Sequence, residues 1–541
     1  MRTFLVWTLL RATLPLVALA ALANPVAGQT SGSPGQRGSR LPPVDLESAE
    51  ARVFLQALST ISHFHSSALA DSALWDRALE GLLEQLDDPY ATVYTPAEYD
   101  RFQETNTGDY AGIGVQITMM DSRVTVTAVF RDTPAEGVGM LVGDRIVWVE
   151  DNDARDWTLD QARDSIRGEP GSVVRIRVTR DGFSEPIPFS IVRDNVHVEA
   201  VAATWVEDGI AYFGIDRIAR GVSEELGQAL EEYGEARALI LDLRGNPGGY
   251  LDESLRVADM LLAPGEKLAS VDSRGAAGAV SNQEWTARSP ARVPDTPIVI
   301  LVDGYTASAA EIISGALQDN DRAVVVGRRT FGKGAVQTHY ALPAGKQISI
   351  TTGSWYTPLG RSLNRARHRD GSLKPEDPIL PDPVVTVAGR ELPTGGGIIP
   401  DLEVESRILE QERQLVNNAS QAQVAFGTRI RDYAFDLAKK ALASGEVEVL
   451  PSPAFDDLAA ELVEAGMDPE IVQDPVARAY LDRQTQLHYL YRANAPALRL
   501  LVQADRDEAL AEALRLARSA RTPGELFTLV DKARRNAPPA A

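Results

Sequence analysis

Two short stretches carry residue types that could do covalent chemistry. "GYTASAAEIISG" (residues 304–315) sets Ser308 among alanines at the start of an apolar helical pattern, and "TFGKGAVQ" (residues 330–337) sets Lys333 between two glycines. A serine hydroxyl is a poor nucleophile near neutral pH unless a base takes its proton. Ser308-Ala-Ala-Glu311 also fits a capping box, in which the serine oxygen and a glutamate three residues on satisfy free backbone N–H groups, so a purely structural role is open. Six histidines are candidate bases: His63, His65, His197, His339, His368 and His488. Only His339 lies near other unusual residues, and no aspartate stands in an evident orienting position. Lysine is the other option. A solvated amine has a pKa of about 10.4, and burial away from acids lowers it by up to about 3–5 units. If the stretch is extended, Lys333, Ala335 and Gln337 point to one face, and Gln337 then holds a neutral amine without adding a negative charge. The alternative is an ordinary loop lysine beside a turn. A third feature, "DLRGNPGG" (residues 242–249), lies between a buried strand and an amphipathic helix. Such a turn offers backbone N–H groups to a developing oxyanion, or is only a tight turn. The Gly-x-Gly-x-x-Gly dinucleotide spacing is absent from it.

The elements that must position these residues follow from the rest of the chain. At 541 residues it is long enough for three or four domains. Lys plus Arg number 54 against 76 Asp plus Glu, a formal charge of −22, which argues against nucleic acid and anionic membranes as main partners. Cysteine is absent, which excludes disulfides, thiolate metal sites, a cysteine nucleophile and a lipidated cysteine. Residues 1–28 read as a signal peptide, with Arg2, an apolar run and Ala21-Leu22-Ala23. Arg11 and Pro15 interrupt that run, leaving too few apolar residues for a spanning helix, which needs about 20. Export to the periplasm is expected, with no stable anchor after cleavage; retention of the uncleaved segment as an anchor is the alternative. Residues 29–43, rich in Gly, Ser and Pro, read as a disordered leader. Residues 44–103 show helical spacing broken at "DDPY", and 104–197 hold four alternating strands and one helix, as in a small partly open barrel. Residues 198–404 alternate strands with helices. Fully apolar strands such as Ile298 to Val302 imply a mostly parallel sheet covered on both faces. Residues 405–541 read as helical, without a chemical constellation. The predicted fold class is therefore multidomain α+β: a helical segment, a barrel, an α/β core and a helical C-terminal region.

In order and spacing, "TASAAEIISGALQDNDRAVVVGRRTFGKGAVQ" resembles the catalytic block of the C-terminal processing peptidases, or tail-specific proteases, which are serine/lysine enzymes. The resemblance extends to "LDDPYATVYTPAEY", "SWYTPLGRSL" and "GGGIIPDLEV", and covers roughly residues 50 to 404. It implies a core of the ClpP/crotonase-like type, Ser308 as nucleophile, Lys333 as base and Gln337 as the residue positioning the lysine. It also implies an oxyanion hole from the backbone N–H groups of Ala309 and Gly249. Thr306 and Ala310 replace serines found in many members, without touching the assigned roles, and residues Asn364 to Thr394 form a long insertion between "GRSL" and "GGGI". The barrel resembles the PDZ domain of these enzymes. On that likeness the backbone of Gly112, Ile113, Gly114 and Val115 captures a chain terminus while the next strand pairs with the substrate. The implied protein is an exported serine endopeptidase that binds protein substrates by their C-terminal tails and cuts near them. No cofactor or metal is needed, and a homo-oligomer or adaptor is possible. The rival expectations are a non-catalytic PDZ scaffold or holdase, and an esterase or amidase with His339 as base.

Overall fold

The computed structural model describes residues 45–536 except 68–69, 121, 131, 181, 208, 276–277, 376–381 and 406–407. The predicted signal peptide and leader lie outside the described residues. Among those residues no helix is long and apolar enough to cross a membrane.

The N-terminal segment supplies the helices Ala49–Phe64, Asp71–Gln85 and Pro96–Thr107. The third starts at a capping box, with the Glu98 N–H donating to Thr95 Oγ1 at 3.3 Å and the Thr95 N–H to Glu98 Oε2 at 2.8 Å. Between the second and third helices the chain makes the turn 86–90, then adds the short strand Thr92–Tyr94 to a sheet of the core.

A barrel follows. Its strands Val115–Met120, Arg123–Val129, Arg145–Val149, Val173–Thr179 and Ile187–Val192 pair antiparallel in that order. Alternation along Val173–Thr179 buries Val174, Ile176 and Val178 against Ile146, Val126 and Ile191. The helix Leu159–Ile166 is capped by Thr158 and turns Ala162 and Ile166 inward. A two-stranded ribbon, Asp109–Gly112 with Asp194–His197, forms the neck through which the chain enters and leaves the barrel.

The core sheet runs in the order Val201–Glu207, Ile210–Ile215, Ala238–Asp242, Ile298–Val302, Val324–Gly327 and Leu402–Glu403, parallel after its first pair. Every residue of Ala238–Asp242 and of Ile298–Val302 is buried, as the apolar runs Ala238 to Leu241 and Ile298 to Val302 require. The helices Val222–Glu232, Leu251–Leu261 and Ala309–Asp319 cover one face. The other face is covered from the far end of the chain, by Leu500 and the apolar sides of Glu508–Ser519 and Pro523–Asn536. The C-terminal region is thus helical, as expected, but divided in its packing. Helices between Glu410 and Arg492 form their own core around Leu415, Leu458 and Leu481 and touch the barrel, Arg492 Nη1 donating to the Thr127 carbonyl at 3.1 Å. A second sheet, Thr92–Tyr94, Ala335–Ala341, Gln347–Tyr356, Lys267–Arg274 and Val280–Thr286, carries the strand that follows Lys333.

Because Leu510 is fully buried between helix and sheet, Leu510→Ala is expected to cost about 2–5 kcal/mol. Denaturant unfolding checks this, and a loss below about 1 kcal/mol would contradict the packing described.

Candidate active site

Ser308 sits where the buried strand Ile298–Val302 has ended and the helix Ala309–Asp319 begins. Its backbone has φ 54° and ψ −114°, a conformation that a residue with a side chain adopts only when its surroundings hold it. The preceding residues are pinned. Thr306 Oγ1 donates to the Leu243 carbonyl at 2.8 Å, and the Ala307 N–H donates to the Asn246 carbonyl at 2.9 Å. Only one half of the expected capping box forms. The Ser308 N–H donates to Glu311 Oε2 at 2.7 Å, while the Ser308 hydroxyl makes no capping hydrogen bond. The oxygen that a structural role would employ is left free at a residue 1% exposed.

Glu311 does more than cap. Its fully buried carboxylate accepts from the N–H groups of Ser308 and Lys333 on Oε2, the latter at 2.9 Å. Oε1 accepts from the Gly332 N–H at 2.8 Å and the Thr330 hydroxyl at 2.5 Å. One side chain therefore ties the backbone of the serine to that of the lysine. Desolvation raises its pKa, and the hydrogen bonds from Thr330, Lys333, Ser308 and Gly332 oppose that rise. Sequence reasoning saw Glu311 only as a helix cap; the signal that could have found it is a glutamate within the apolar run Ala309 to Ile313 beside the candidate nucleophile.

Lys333 is buried, and desolvation brings its pKa down from 10.5 to about 8 against the opposing charges of Glu311 and Asp88. Neither carboxylate pairs with it: Nζ lies 4.6 Å from the centroid of the Tyr90 ring and is not hydrogen-bonded to Ser308 Oγ. The structure brings the two backbones together through Glu311 and leaves the two side chains unbonded. Gln337 lies on the strand Ala335–Ala341, which begins after Lys333 and has a bulge between Val336 and Gln337, so the simple alternation expected over 333–337 is broken. Gln337 Nε2 donates to Thr351 Oγ1 at 3.2 Å, and its buried Oε1 has no partner.

The turn 242–249 rests directly against Ser308. Arg244 pairs with Asp242 and with Asp507, at 2.6 Å each, which fastens the turn to the C-terminal helix that Asp507 caps. A side chain at Gly248 (φ +100°) would meet the Ala307 carbonyl at 2.8 Å and both Ser308 Cβ and the Ala309 nitrogen at 3.0 Å. One at Gly249 (φ +155°) would meet the Ile218 carbonyl oxygen at 1.8 Å. Only glycine permits this approach. The N–H groups of Gly249 and Ala309 have no acceptor among the described residues.

Ile113 and Gly114 turn their carbonyls into the barrel, to the N–H groups of Ala135 at 2.8 Å and Phe130 at 3.0 Å. A cavity of about 750 Å³ runs from the loop 112–115 past Ile117, Leu159 and Ile166 to Gly245, Pro247 and Gly248 of the turn. His339 is packed among the rings of Tyr94, Tyr99 and Phe102, with the Phe102 centroid 5.1 Å away, and no histidine is hydrogen-bonded to Ser308 or Lys333.

Comparison with protein-family models matches residues 209–370 to peptidase family S41 and residues 111–187 to the PDZ domain. The chain is 33% identical over 303 residues to a carboxy-terminal-processing protease of Bartonella bacilliformis, covering 54% of this chain and 68% of that one. It is 31% identical over 308 residues to the carboxy-terminal processing protease CtpA of Bacillus subtilis, with 57% and 64% covered. Against a carboxyl-terminal-processing protease of Synechocystis sp. it is 31% identical over 319 residues, with 58% and 72% covered. Among solved structures it is similar to the photosystem II D1 C-terminal processing protease, at 23% identity and a TM-score of 0.34, covering 66% of this chain and 94% of that one.

A buried amine without an ionic partner is costly to the fold. With a folded pKa near 8 against 10.5, Lys333 destabilises fully below pH 8, and the cost fades as pH rises toward 10.5, where the unfolded chain also loses the proton. Lys333→Met is therefore expected to stabilise the fold at pH 7 by roughly 2–4 kcal/mol, with the gain shrinking above pH 8. Unfolding followed across pH checks this, and destabilisation at pH 7 would contradict it.

Proposed function

Given that the chain belongs to peptidase family S41 and its carboxy-terminal-processing proteases, we propose that Ser308 and Lys333 form its catalytic dyad. The chain is a serine-type endopeptidase with a PDZ domain. The observation that carries the dyad is the Glu311 carboxylate, which accepts from the backbone N–H groups of both residues within one buried pocket.

In the reaction, neutral Lys333 leaves the Tyr90 ring, accepts the Ser308 proton and lets Oγ attack the scissile carbonyl carbon. The carbonyl oxygen becomes an oxyanion beside the free N–H groups of Gly249 and Ala309. Collapse breaks the C–N bond, and the Lys333 ammonium gives its proton to the departing amine. Water, deprotonated by the same amine, then hydrolyses the ester to Ser308. Gln337 Oε1, the acceptor left over once Nε2 has bonded Thr351, receives a hydrogen bond from Nζ and aims the lysine. Its neutrality matters, because a third carboxylate here would push the amine back toward its charged form.

The PDZ barrel captures the substrate tail. The N–H groups of residues 112–115 receive the terminal carboxylate, and the strand Val115–Met120 pairs with the extended tail. Ile113, Ile117, Leu159 and Ile166 favour an apolar last side chain. The cavity's continuity from this loop to Gly248 supports delivery of the same chain to Ser308. The substrates are exported proteins met in the periplasm after signal cleavage. The surroundings of His339, a cluster of aromatic rings, support no role for it as base.

Ser308→Ala and Lys333→Ala are each expected to reduce cleavage of an unfolded protein with an apolar C-terminus to background, in folded enzyme, while His339→Ala retains activity. Mass spectrometry of the digest reads activity, cut positions and dependence on a free terminus together. Full activity of folded Lys333→Ala would sink the dyad.

A further inference from the structure

The turn Leu86-Asp87-Asp88-Pro89-Tyr90 leaves the second N-terminal helix and ends in the lysine pocket. The Tyr90 ring is 8% exposed and faces Lys333 Nζ at 4.6 Å. Its hydroxyl is buried beside Arg367; burial pushes its pKa up to about 12, and the charge and hydrogen bonding of Arg367 offset part of that rise.

Asp88, two residues earlier, makes a second attachment. Its carboxylate accepts from the Thr351 N–H and the Thr351 hydroxyl, at 3.1 Å each. That hydroxyl accepts from Gln337 Nε2 at 3.2 Å. The chain of bonds fixes which end of the Gln337 amide is consumed and leaves Oε1 for the lysine.

The start of the insertion, residues 364–375, straps this turn to the lysine loop. On one side Arg369 Nη1 donates to the carbonyls of Leu83 at 3.0 Å and Asp88 at 3.4 Å, and Lys374 pairs with Asp87 at 2.7 Å. On the other, the Arg365 N–H donates to the Gly332 carbonyl at 2.9 Å and Arg367 Nη2 to the Phe331 carbonyl at 2.8 Å. N-terminal turn, strap and lysine loop are one connected unit.

From this geometry we infer that Tyr90 is a positioning residue of the dyad: its ring walls the lysine amine off from water, and the turn that carries it aligns Gln337 through Asp88 and Thr351. The inference rests on the proposed Ser308–Lys333 reading. The groups that act on the amine are Glu311 from the nucleophile's helix and Asp88 and Tyr90 from the turn, while Arg367 of the strap acts on Tyr90. An aromatic face attracts a cation weakly, by about 0.5–1 kcal/mol at exposed sites and about 2 when desolvated. Water solvates an ammonium far better. Replacing ring by water thus moves the amine toward its solvated pKa of about 10.4 and lowers its neutral fraction at pH 7 by at least tenfold. The N-terminal segment thereby becomes part of the catalytic apparatus.

The test uses the full chain with Tyr90→Phe, Tyr90→Ala and Tyr90→Gln. The kcat/KM for a peptide with an apolar C-terminus and the rate of Ser308 phosphonylation by a fluorophosphonate are measured from pH 6 to pH 10. The second readout needs no captured tail. Tyr90→Phe is expected to keep the wild-type profile. Tyr90→Ala is expected to move the acid limb up by at least one pH unit, losing at least tenfold at pH 7 and recovering toward wild type at pH 10. Tyr90→Gln fills the space with a polar group and is expected to move the limb the same way, so the inference remains testable if the alanine variant does not fold. An unmoved acid limb in a folded Ala or Gln variant, or a Phe variant shifted as far as either, overturns it. Failure of the dyad itself gives a different result, activity that survives Lys333→Ala.

Discussion

The Glu311 carboxylate is the interaction on which the site depends. Ionised and fully buried, it costs several kcal/mol of lost hydration, offset by four donors, each charge-assisted bond being worth about 1.5–3 kcal/mol. Those donors are the backbone of Ser308, Gly332 and Lys333 and the hydroxyl of Thr330, so the charge is spent on holding two chain segments in register. Nearby, the same charge favours the protonated lysine. Burial outweighs it because the carboxylate bonds backbone donors and not the amine, and no second carboxylate pairs with that amine. A buried carboxylate and a buried amine share a pocket without forming an ion pair, which leaves the amine free for the proposed role of base.

The remaining parts act on this pair from three directions. The turn 242–249 is pinned by Arg244 between Asp242 and Asp507, so the C-terminal helices that cover the core sheet also steady the proposed oxyanion-binding amides. The barrel meets the core at the ribbon Asp109–Gly112 with Asp194–His197, and its groove opens onto the same turn. From the N-terminal side, the turn 86–90 closes the lysine pocket under the strap formed by 364–375. Segments distant in sequence meet at a site whose reactive residues lie within one short stretch of chain.

The sequence made that short stretch legible and left its surroundings obscure. Ser308, Lys333 and Gln337 stood out because glycines and apolar neighbours isolate them, and the buried parallel strands followed from unbroken runs such as Ile298 to Val302. Glu311 was visible only as a cap, since its other donors lie 19 to 22 residues on, across a strand and two loops. Tyr90 and Asp88 stood out as a helix break and as part of the resembling stretch "LDDPYATVYTPAEY", but without a role, because Thr351, the partner of Asp88, is 263 residues away and no local pattern encodes that contact. The helix Glu508–Ser519 read as amphipathic, but periodicity reveals that a face is covered and not what covers it. The alternation drawn from Lys333 to Gln337 failed at a bulge, a feature that shifts register without a compositional mark.

The central claim is that burial fits the Lys333 amine for the proposed role of base. The most direct measurement is NMR titration of the Lys333 side chain in isotopically labelled Ser308→Ala protein. The chain has only seven lysines, and a Lys333→Met difference spectrum assigns the signal. The account predicts a midpoint near pH 8. A Lys333 amine that stays charged to pH 10 would contradict it.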